Sequence, residues 1–354
     1  MTPTRQLLLL AALLLGLSSC KHNVTTTPQD AFSIDISPKK KEYHLGDTLV
    51  VKITHPKFSE AITKTSFQFH QQHIEAQGDT IVLHALLSLG KQQLKVTAHT
   101  TNGQQYTVQK QLLLLAKDAP KIYTYKIINE YAHDKKAYTQ GLEFIGDTLV
   151  ESTGQYGESS IRKWNPFTGE VYKNIPLQPS YFGEGATVFK GKILQLTWRE
   201  QIGMVYDKDL NFQKTFTYGK SKEGWGLCHN GEDKLYKSDG SEKIWLLHPE
   251  TYTEIDSLQL CTNKSLYTYA NELEFANGKI YANTFLKDGI MIINPENGAI
   301  EGVIDVRGLK SKVEQTPDVD VLNGIAYHPK RQTFFITGKN WSKIFEVVFL
   351  PSNN

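Results

Sequence analysis

The stretch QGLEFIGDTLVEST, residues 140–153, contains the pattern that decides the fold: a short apolar strand, a tight polar turn and a second strand. In outline this pattern occurs five times before the C-terminus, with successive starts 44, 41, 46 and 52 residues apart. The five copies begin at Gln140-Gly141-Leu142, Glu184-Gly185-Ala186, Trp225-Gly226-Leu227, Asn271-Glu272-Leu273 and Asn323-Gly324-Ile325. Repeats of about 40 to 50 residues with several short strands each are typical of β-propellers. The sequence therefore predicts a five-bladed β-propeller.

The ends of the repeated strands predict where a functional site lies. In a propeller the first strand of each blade lines the central channel from one face, and the second strand returns to that face. Residues at the start of the first strands and at the end of the second strands should therefore form two rings at one mouth of the channel. The first ring comprises Gln140, Glu184, Trp225, Asn271 and Asn323, and the second comprises Thr153, Trp198, Gly240, Phe285 and Lys339.

The chemistry of the two rings indicates a pocket. They combine one carboxylate and one ammonium group with amides and aromatic side chains, whereas a repeat that served stability alone would place similar residues at equivalent positions. An apolar pocket with a few convergent polar groups is the usual form of a small-ligand site. The alternative is that these are only strand-end residues whose polar groups face water.

Seven segments of the chain resemble a known family in their order and spacing, from about Tyr131 to Phe349. They are HDKKAYTQGLEF (133–144), STGQYGESSIRKW (152–164), YFGEGATVFKGKILQLTW (181–198), EGWGL (223–227), NELEF (271–275), LNGIAYHP (322–329) and TGKNWSKIFEV (337–347). The chain resembles the plant-type glutaminyl-peptide cyclotransferases, also called glutamine cyclotransferases. The resemblance implies a five-bladed propeller that acts as an acyltransferase, converting the N-terminal glutamine of peptides or proteins to pyroglutamate and releasing ammonia.

The resemblance also implies a set of site residues. Carried over position by position, it places the site at Gln140, Phe182, Glu184, Trp198, Trp225, Asn271 and Lys339. Phe285 stands where a tryptophan is usual in the family, which keeps an apolar wall but loses an indole N–H. Tyr138 stands where phenylalanine is usual. Substrate affinity or preference is therefore expected to differ from that of the family.

The chemistry of cyclisation assigns roles to these residues. The α-amine must be neutral to attack the γ-carboxamide, and the departing nitrogen must gain a proton. Glu184 is the only acid on either ring, and desolvation by the neighbouring aromatics should move its pKa toward neutrality, as general acid/base catalysis requires. Lys339 would stabilise oxyanion character at the carboxamide, together with the amides of Gln140 and Asn271. Phe182, Trp198, Trp225 and Phe285 would hold the substrate folded. A salt bridge between Glu184 and Lys339 remains the simpler alternative.

The N-terminus predicts a compartment. Arg5 precedes an apolar run too short to span a bilayer, and Leu17-Ser18-Ser19-Cys20 closes it, which resembles a bacterial lipoprotein signal. We therefore expect residues 1–20 to be the signal, lipid to be attached at Cys20, and residues 21–30 to form a solvated tether. The protein would then be anchored to a bacterial membrane in the cell envelope, facing the periplasm or the exterior. A cleaved secretory signal with a chance cysteine is the alternative.

Residues 31–118 have a different pattern from the repeats. Strand-length segments such as TLVVKI and QLKVTA alternate with turn clusters such as QGD and TNGQ, which predicts an immunoglobulin-like β-sandwich that carries no catalytic motif. The sequence thus predicts an all-β chain, with this sandwich followed by the propeller and cyclotransferase domain over residues 119–354.

Composition excludes several function classes. The 39 Lys and Arg residues nearly balance the 37 Asp and Glu residues, so a nucleic-acid surface is not expected. We also expect the protein to be a monomer. The eleven histidines form no HxH or HExxH motif, so no cofactor is expected to be required for catalysis, and a structural metal ion in the channel stays open. Cys228 and Cys261 lack metal-ligand spacing, and a disulfide between them is not favoured.

Two other classes of protein remain as alternatives to the enzyme. The first is a non-catalytic propeller of the envelope that serves as a binding or scaffold protein, although such a protein would not need Glu184, Lys339 and two ring tryptophans together. The second is a lactonase- or quinoprotein-like propeller, which would require metal-ligating carboxylates and histidines around the channel.

Overall fold

The computed structural model describes residues 32–55, 60–70, 72–84 and 87–352. Regular structure in these ranges is β-strand, together with one short 3-10 helix at Lys310–Lys312, so the prediction of an all-β chain is confirmed there. No helix in the described part of the chain has the length and apolar character needed to span a membrane. The predicted signal, the lipidation site Cys20 and the tether lie outside the described residues.

The N-terminal part of the chain forms two sheets around one core. Its strands are β1 (Ser33–Ser37), β2 (Tyr43–His44), β3 (Thr48–Thr54), β4 (Ile62–Phe69), β5 (Gln72–Ile74), β6 (Ala76–Gln77), β7 (Thr80–Val82), β8 (Gly90–Thr100) and β9 (Gln105–Leu115). The sheet orders are β1-β3-β7-β6 and β2-β9-β8-β4-β5. Alternate residues of β8 are buried, as expected for a strand with one face on a core. Leu49 of β3 and Val96 of β8 belong to the same apolar cluster. The immunoglobulin-like assignment stays a prediction.

The remaining strands form five sets of four. They are β10 (Lys121–Ala132), β11 (Thr139–Ile145), β12 (Thr148–Thr153), β13 (Ser160–Trp164), β14 (Val171–Pro176), β15 (Gly183–Phe189), β16 (Lys192–Thr197), β17 (Ile202–Asp207), β18 (Phe212–Thr217), β19 (Leu227–His229), β20 (Leu235–Ser238), β21 (Lys243–Leu247), β22 (Glu254–Gln259), β23 (Ala270–Ala276), β24 (Lys279–Thr284), β25 (Gly289–Ile293), β26 (Ile300–Asp305), β27 (Leu322–His328), β28 (Thr333–Gly338) and β29 (Lys343–Pro351). Four sets run consecutively from β11 to β26, and the fifth has the order β10-β29-β28-β27.

Strand β10 joins the two ends of this arrangement. Its first residues, Lys121–Tyr123, pair in parallel with β26, and its remaining length pairs antiparallel with β29. The fourth and fifth sets therefore form one eight-stranded sheet. The first strands of the five sets contact one another in cyclic order, since β11 contacts both β15 and β27, and β19 and β23 continue the series between them.

The second residue of the early repeats explains this close contact. A Cβ added to Gly141 would lie 2.4 Å from the nitrogen of Ala186, and one added to Gly226 would lie 2.1 Å from the oxygen of Asn271. Only glycine permits this approach of neighbouring first strands. The fourth repeat has Glu272 at this position, and its carboxylate accepts the main-chain N–H groups of Leu142 (3.2 Å) and Ile325 (2.9 Å).

The two parts of the chain share buried contacts. Cys261 and Ala299, which lie between strands of the C-terminal part, belong to the apolar cluster of the two N-terminal sheets. The side chain of Gln259 accepts the N–H of Lys91 at 3.1 Å. Both Cys228 and Cys261 are buried free thiols, so they form no disulfide with each other.

Candidate active site

Glu184 is a buried carboxyl group with one oxygen available. It follows the first residue of β15, and only 4% of the residue is exposed. Its Oε1 accepts the side-chain N–H of Gln140 at 3.0 Å, whereas Oε2 is buried and has no hydrogen-bond partner among the described residues. Burial raises the pKa of Glu184 well above its usual range; Lys339 opposes this effect, and the charges of Glu223 and Glu200 add to it. A raised pKa favours the protonated form of the carboxyl group, as is common for residues that exchange protons in active sites.

Gln140 connects Glu184 to the neighbouring repeat. Its side-chain oxygen accepts the amide N–H of Asn323 at 2.8 Å, and the same amide donates to the main-chain oxygen of Thr139 at 3.0 Å. All three ring residues are buried. Because Gln140 is held by Asn323 through its oxygen, its amide group is oriented to donate to Glu184.

Lys339 follows β28 and faces aromatic rings. Its ammonium nitrogen lies 4.6 Å from the ring centroid of Tyr138 and 5.6 Å from that of Phe285, which are cation–π distances. Burial lowers the pKa of Lys339, and the charges of Glu184 and Asp320 oppose that shift. No direct ion pair between Lys339 and Glu184 occurs among the described residues, so the salt-bridge alternative is not formed as a contact.

Aromatic side chains surround these groups. Phe182 lies 5.4 Å from Trp198 and 5.4 Å from Tyr156 between ring centroids, and Trp225 lies 5.4 Å from Phe285. Gly154 makes room for this wall, because an added Cβ would lie 2.4 Å from the Phe182 ring. The structure thus brings together seven of the eight pocket residues expected from the sequence: Gln140, Phe182, Glu184, Trp198, Trp225, Phe285 and Lys339.

The remaining ring members have other surroundings. Asn271 is buried, and its main-chain oxygen accepts the hydroxyl of Ser238 at 2.7 Å. The hydroxyl of Thr153 lies 2.9 Å from that of Ser160. Gly240 supports Trp225, because a Cβ there would lie 2.6 Å from the indole.

Sequence reasoning missed Glu223. The indole N–H groups of Trp198 and Trp225 both donate to its Oε2, each at 2.9 Å. Glu223 belongs to the EGWGL segment, two residues before Trp225, and this short spacing was the available signal. It does not stand on either predicted ring because it belongs to the loop between β18 and β19.

The structure places a second buried acid near the first strands. Glu272 is 1% exposed, and burial raises its pKa well above the usual range, although its two main-chain donors oppose the shift. Because both oxygens already accept main-chain N–H groups, Glu272 serves the packing of the strands. Among the described residues, no group of three or more His, Cys, Asp and Glu side chains is arranged to hold a metal ion.

Comparisons with known proteins identify relatives of this chain. A family model described as "Glutamine cyclotransferase" matches residues 94–349. The protein named "Glutaminyl-peptide cyclotransferase" from Arabidopsis thaliana is 36% identical over 231 residues, which are 64% of this chain and 72% of that protein. The crystal structure of Myxococcus xanthus glutaminyl cyclase matches with a TM-score of 0.61 and 32% identity, covering 66% of this chain and all of the other. The chain described here therefore belongs to the glutamine cyclotransferase family.

Proposed function

We propose that the protein is a glutaminyl-peptide cyclotransferase, which converts the N-terminal glutamine of peptides or proteins to pyroglutamate and releases ammonia. The observation that carries this proposal is the buried Oε2 of Glu184, which has no hydrogen-bond partner among the described residues. Its neighbour Gln140 lies beside Phe182, which packs against Trp198. Membership in the glutamine cyclotransferase family supports the same reaction.

The reaction requires one proton to move between two nitrogen atoms. The neutral α-amine attacks the carbon of the γ-carboxamide and forms the ring C–N bond. The carboxamide C–N bond then breaks, and its electron pair leaves with the nitrogen as ammonia. Glu184 takes the proton from the attacking nitrogen and gives it to the leaving nitrogen, so that the residue ends in its starting state.

Each neighbouring group supports this transfer. Gln140 holds Oε1 of Glu184 and thereby leaves Oε2 directed to the reacting nitrogens. The ammonium of Lys339 stabilises negative charge at the carboxamide oxygen. The rings of Phe182, Trp198 and Phe285 keep the substrate folded and exclude water, which strengthens both effects.

The architecture proposed for this function is a five-bladed propeller. Five sets of four strands and the cyclic contacts among their first strands support it. The N-terminal sheets would be an immunoglobulin-like module, with domain limits at residues 31–118 and 119–354. No cofactor is required in this proposal, and we propose that the protein acts as a monomer.

We also propose that lipid on Cys20 anchors the protein to a bacterial membrane. The apolar run that precedes Leu17-Ser18-Ser19-Cys20 supports this location. Replacing Cys20 with serine should move the protein from the membrane fraction to the soluble fraction, as followed by immunoblotting. Unchanged fractionation would remove the proposal.

Ammonia release tests the enzymatic proposal directly. Purified residues 21–354 should release one ammonia for each short peptide that begins with glutamine. The same peptide with an acetylated N-terminus is the control, because its blocked nitrogen cannot attack. Mass spectrometry should show the loss of ammonia from the free peptide alone. If neither peptide reacts, the protein is the binding or scaffold alternative and not an enzyme.

A further inference from the structure

Glu223 links two tryptophans that come from different sets of strands. Trp198 follows β16 in the second set, and Trp225 precedes β19 in the third. Their indole N–H groups converge on one carboxylate oxygen, each at a donor–acceptor distance of 2.9 Å. Hydrogen bonds to a charged acceptor are stronger than neutral ones. The distance between the two indoles is therefore fixed by a side chain that belongs to neither ring of the channel mouth.

The other oxygen of Glu223 is also held. Oε1 accepts the Nε–H of Arg199 at 3.3 Å, and the guanidinium carbon of Arg199 lies 3.7 Å from the centroid of the Trp198 ring. Trp198 thus contacts Arg199 on one face while its edge donates to Glu223. The other tryptophan that Glu223 binds, Trp225, packs against Gly240.

Buried polar side chains hold the main chain of Glu223 in place. The ammonium of Lys237, which is fully buried, donates to the main-chain oxygen of Glu223 at 2.7 Å and to the hydroxyl of Ser221 at 2.7 Å. It also pairs with Glu254 at 3.1 Å. The Glu254 carboxylate in turn accepts the main-chain N–H groups of Lys220 (2.7 Å) and Ser221 (2.8 Å). The loop that carries Glu223 is therefore tied to the third set of strands at several points.

From this geometry we infer that Glu223 is a positioning residue that sets the width of the glutamine pocket by holding the indoles of Trp198 and Trp225. We name the two indoles and the Glu223 carboxylate the indole bridge. This inference rests on the proposed function for its substrate. The indole bridge orders two large side chains before the substrate binds, so the ordering cost does not fall on substrate binding.

Two variants at Glu223 distinguish the effect of hydrogen-bond acceptance on substrate binding from the effect of charge. Glu223→Ala removes both acceptors, and we expect KM for the glutamine peptide to rise about tenfold or more, with kcat changed by less than about threefold. Glu223→Gln keeps one oxygen that can accept both indoles, so its KM should stay within about threefold of the parent value. Glu250→Gln is the matched control, since it makes the same change at an exposed glutamate that is not a hydrogen-bond partner of either indole. Its KM and near-UV circular dichroism should match those of the parent.

Near-UV circular dichroism of the free protein provides a readout that does not need activity. Glu223→Ala should change the tryptophan bands, and Glu223→Gln should preserve them. The double variant Trp198→Phe/Trp225→Phe should show the same rise in KM, and adding Glu223→Ala to it should cause no further rise. If Glu223→Ala does not fold, the double variant tests the same hydrogen bonds, because it removes the two indole donors instead of the acceptor.

The outcomes distinguish this inference from the proposed function. If the parent protein releases no ammonia, the proposed function fails, and the tryptophan bands still report on the bridge. If Glu223→Ala keeps the KM and tryptophan bands of the parent, the inference is overturned. It is also overturned if Glu223→Gln behaves like Glu223→Ala, because charge and not hydrogen-bond acceptance would then be responsible.

Discussion

The two oxygens of Glu184 have different surroundings, and this difference carries most of the proposed chemistry. Oε1 accepts a hydrogen bond from Gln140, and Oε2 is buried without a partner in the part of the chain that the structure describes. A carboxyl group that served only stability would be expected to have both oxygens satisfied, as in Glu272. In the proposed reaction, the unsatisfied oxygen is the atom that exchanges a proton with the substrate nitrogens.

Glu184→Gln tests this role with little change in shape. The amide keeps an acceptor for Gln140 but cannot exchange a proton, so kcat should fall by about 10² to 10⁴ while the thermal midpoint stays near that of the parent. Steady-state ammonia release and calorimetry provide the two measurements. Asn323→Ala, which removes a hydrogen bond one step away from the carboxyl group, should cost less. Near-normal turnover of Glu184→Gln would show that Glu184 is structural.

The sequence identifies candidate pocket residues, but it does not reveal the hydrogen bonds between them. Glu184, Lys339 and the ring aromatics follow from equivalent positions in the repeats, because the strand period determines which residues reach one face. Phe182, by contrast, was implied only by the family resemblance. The role of Glu223 could not be predicted in this way, since it depends on the conformation of the irregular loop between β18 and β19. The absence of a direct contact between Glu184 and Lys339 likewise depends on where Tyr138 and Phe285 hold the ammonium.

At the scale of strands, the close approach of β19 and β23 depends on one glycine. An added Cβ at Gly226 would lie 2.1 Å from the oxygen of Asn271, and Gly226 directly follows the pocket residue Trp225. Gly226→Ala should therefore lower the free energy of unfolding by about 1 to 3 kcal/mol and reduce kcat/KM as well. Urea denaturation and ammonia release would measure the two effects.

Gly289→Ala is the matched control for this substitution. Its added Cβ would meet its nearest neighbours at 3.8 Å, which is ordinary van der Waals contact, so stability and kcat/KM should change little. Equal effects at the two positions would contradict the argument that close approach of the first strands makes Gly226 necessary.

Strands β11, β12 and β13 are joined by the buried carboxylate of Glu151. It accepts hydrogen bonds from Arg162 (2.9 Å), Thr139 (2.8 Å) and His133 (3.1 Å). Burial acts to raise the pKa of Glu151, but Arg162 and His133 outweigh it and hold the pKa at about 2. In the unfolded chain this carboxyl group has an ordinary pKa of ~4.3. The folded state therefore favours the charged form more strongly than the unfolded state does.

The linkage between this shift and stability has a definite sign. Because the folded pKa is lower, the contribution of Glu151 is fully present above the unfolded pKa and is lost as the pH falls toward 2. Glu151→Gln should cost about 3 to 5 kcal/mol at pH 7, since it leaves a buried guanidinium poorly paired, and the difference should shrink in acid. Urea titrations at several pH values would measure it. Glu314→Gln breaks an exposed pair and should cost about 1 kcal/mol or less at any pH. A difference for Glu151→Gln that did not depend on pH would contradict this account.

At the scale of the whole molecule, the two parts of the chain share one apolar cluster. Leu114 of β9 is fully buried, and its main-chain oxygen lies 3.9 Å from the thiol of Cys261. The five tryptophans all lie between residues 164 and 341, so fluorescence reports only on the C-terminal part. Leu114→Ala should destabilise the protein by about 2 to 5 kcal/mol and lower the unfolding midpoint seen by fluorescence.

A control at the protein surface sets the baseline for this prediction. Leu350→Ala changes a leucine that is 42% exposed, and its midpoint should stay close to that of the parent. If Leu114→Ala lowered the midpoint seen by far-UV circular dichroism but left the fluorescence midpoint unchanged, the two parts would unfold independently.

Much of the whole-molecule architecture could be predicted from the sequence, because repeats and alternation are local patterns. The apolar cluster that the two parts of the chain share could not be predicted from the sequence. Cys261 and Ala299 lie next to irregular stretches between strands, and their burial by the N-terminal sheets depends on a contact between distant segments that no local period reports. The parallel pairing of β10 with β26 escaped the sequence for the same reason.

The position of β10 has a consequence for how the chain is made. Its partner β29 contains the last described strand residues, and the hydrogen bond between Asn129 and Glu346 joins groups 217 positions apart. A ribosome therefore completes β10 long before it supplies the strand that covers its edge. During that interval the edge is open to pairing with any other extended segment. The cyclic series of sheets closes only when β29 has been made, so a chain that stops before Lys343 would expose one edge of β10 and one edge of β28.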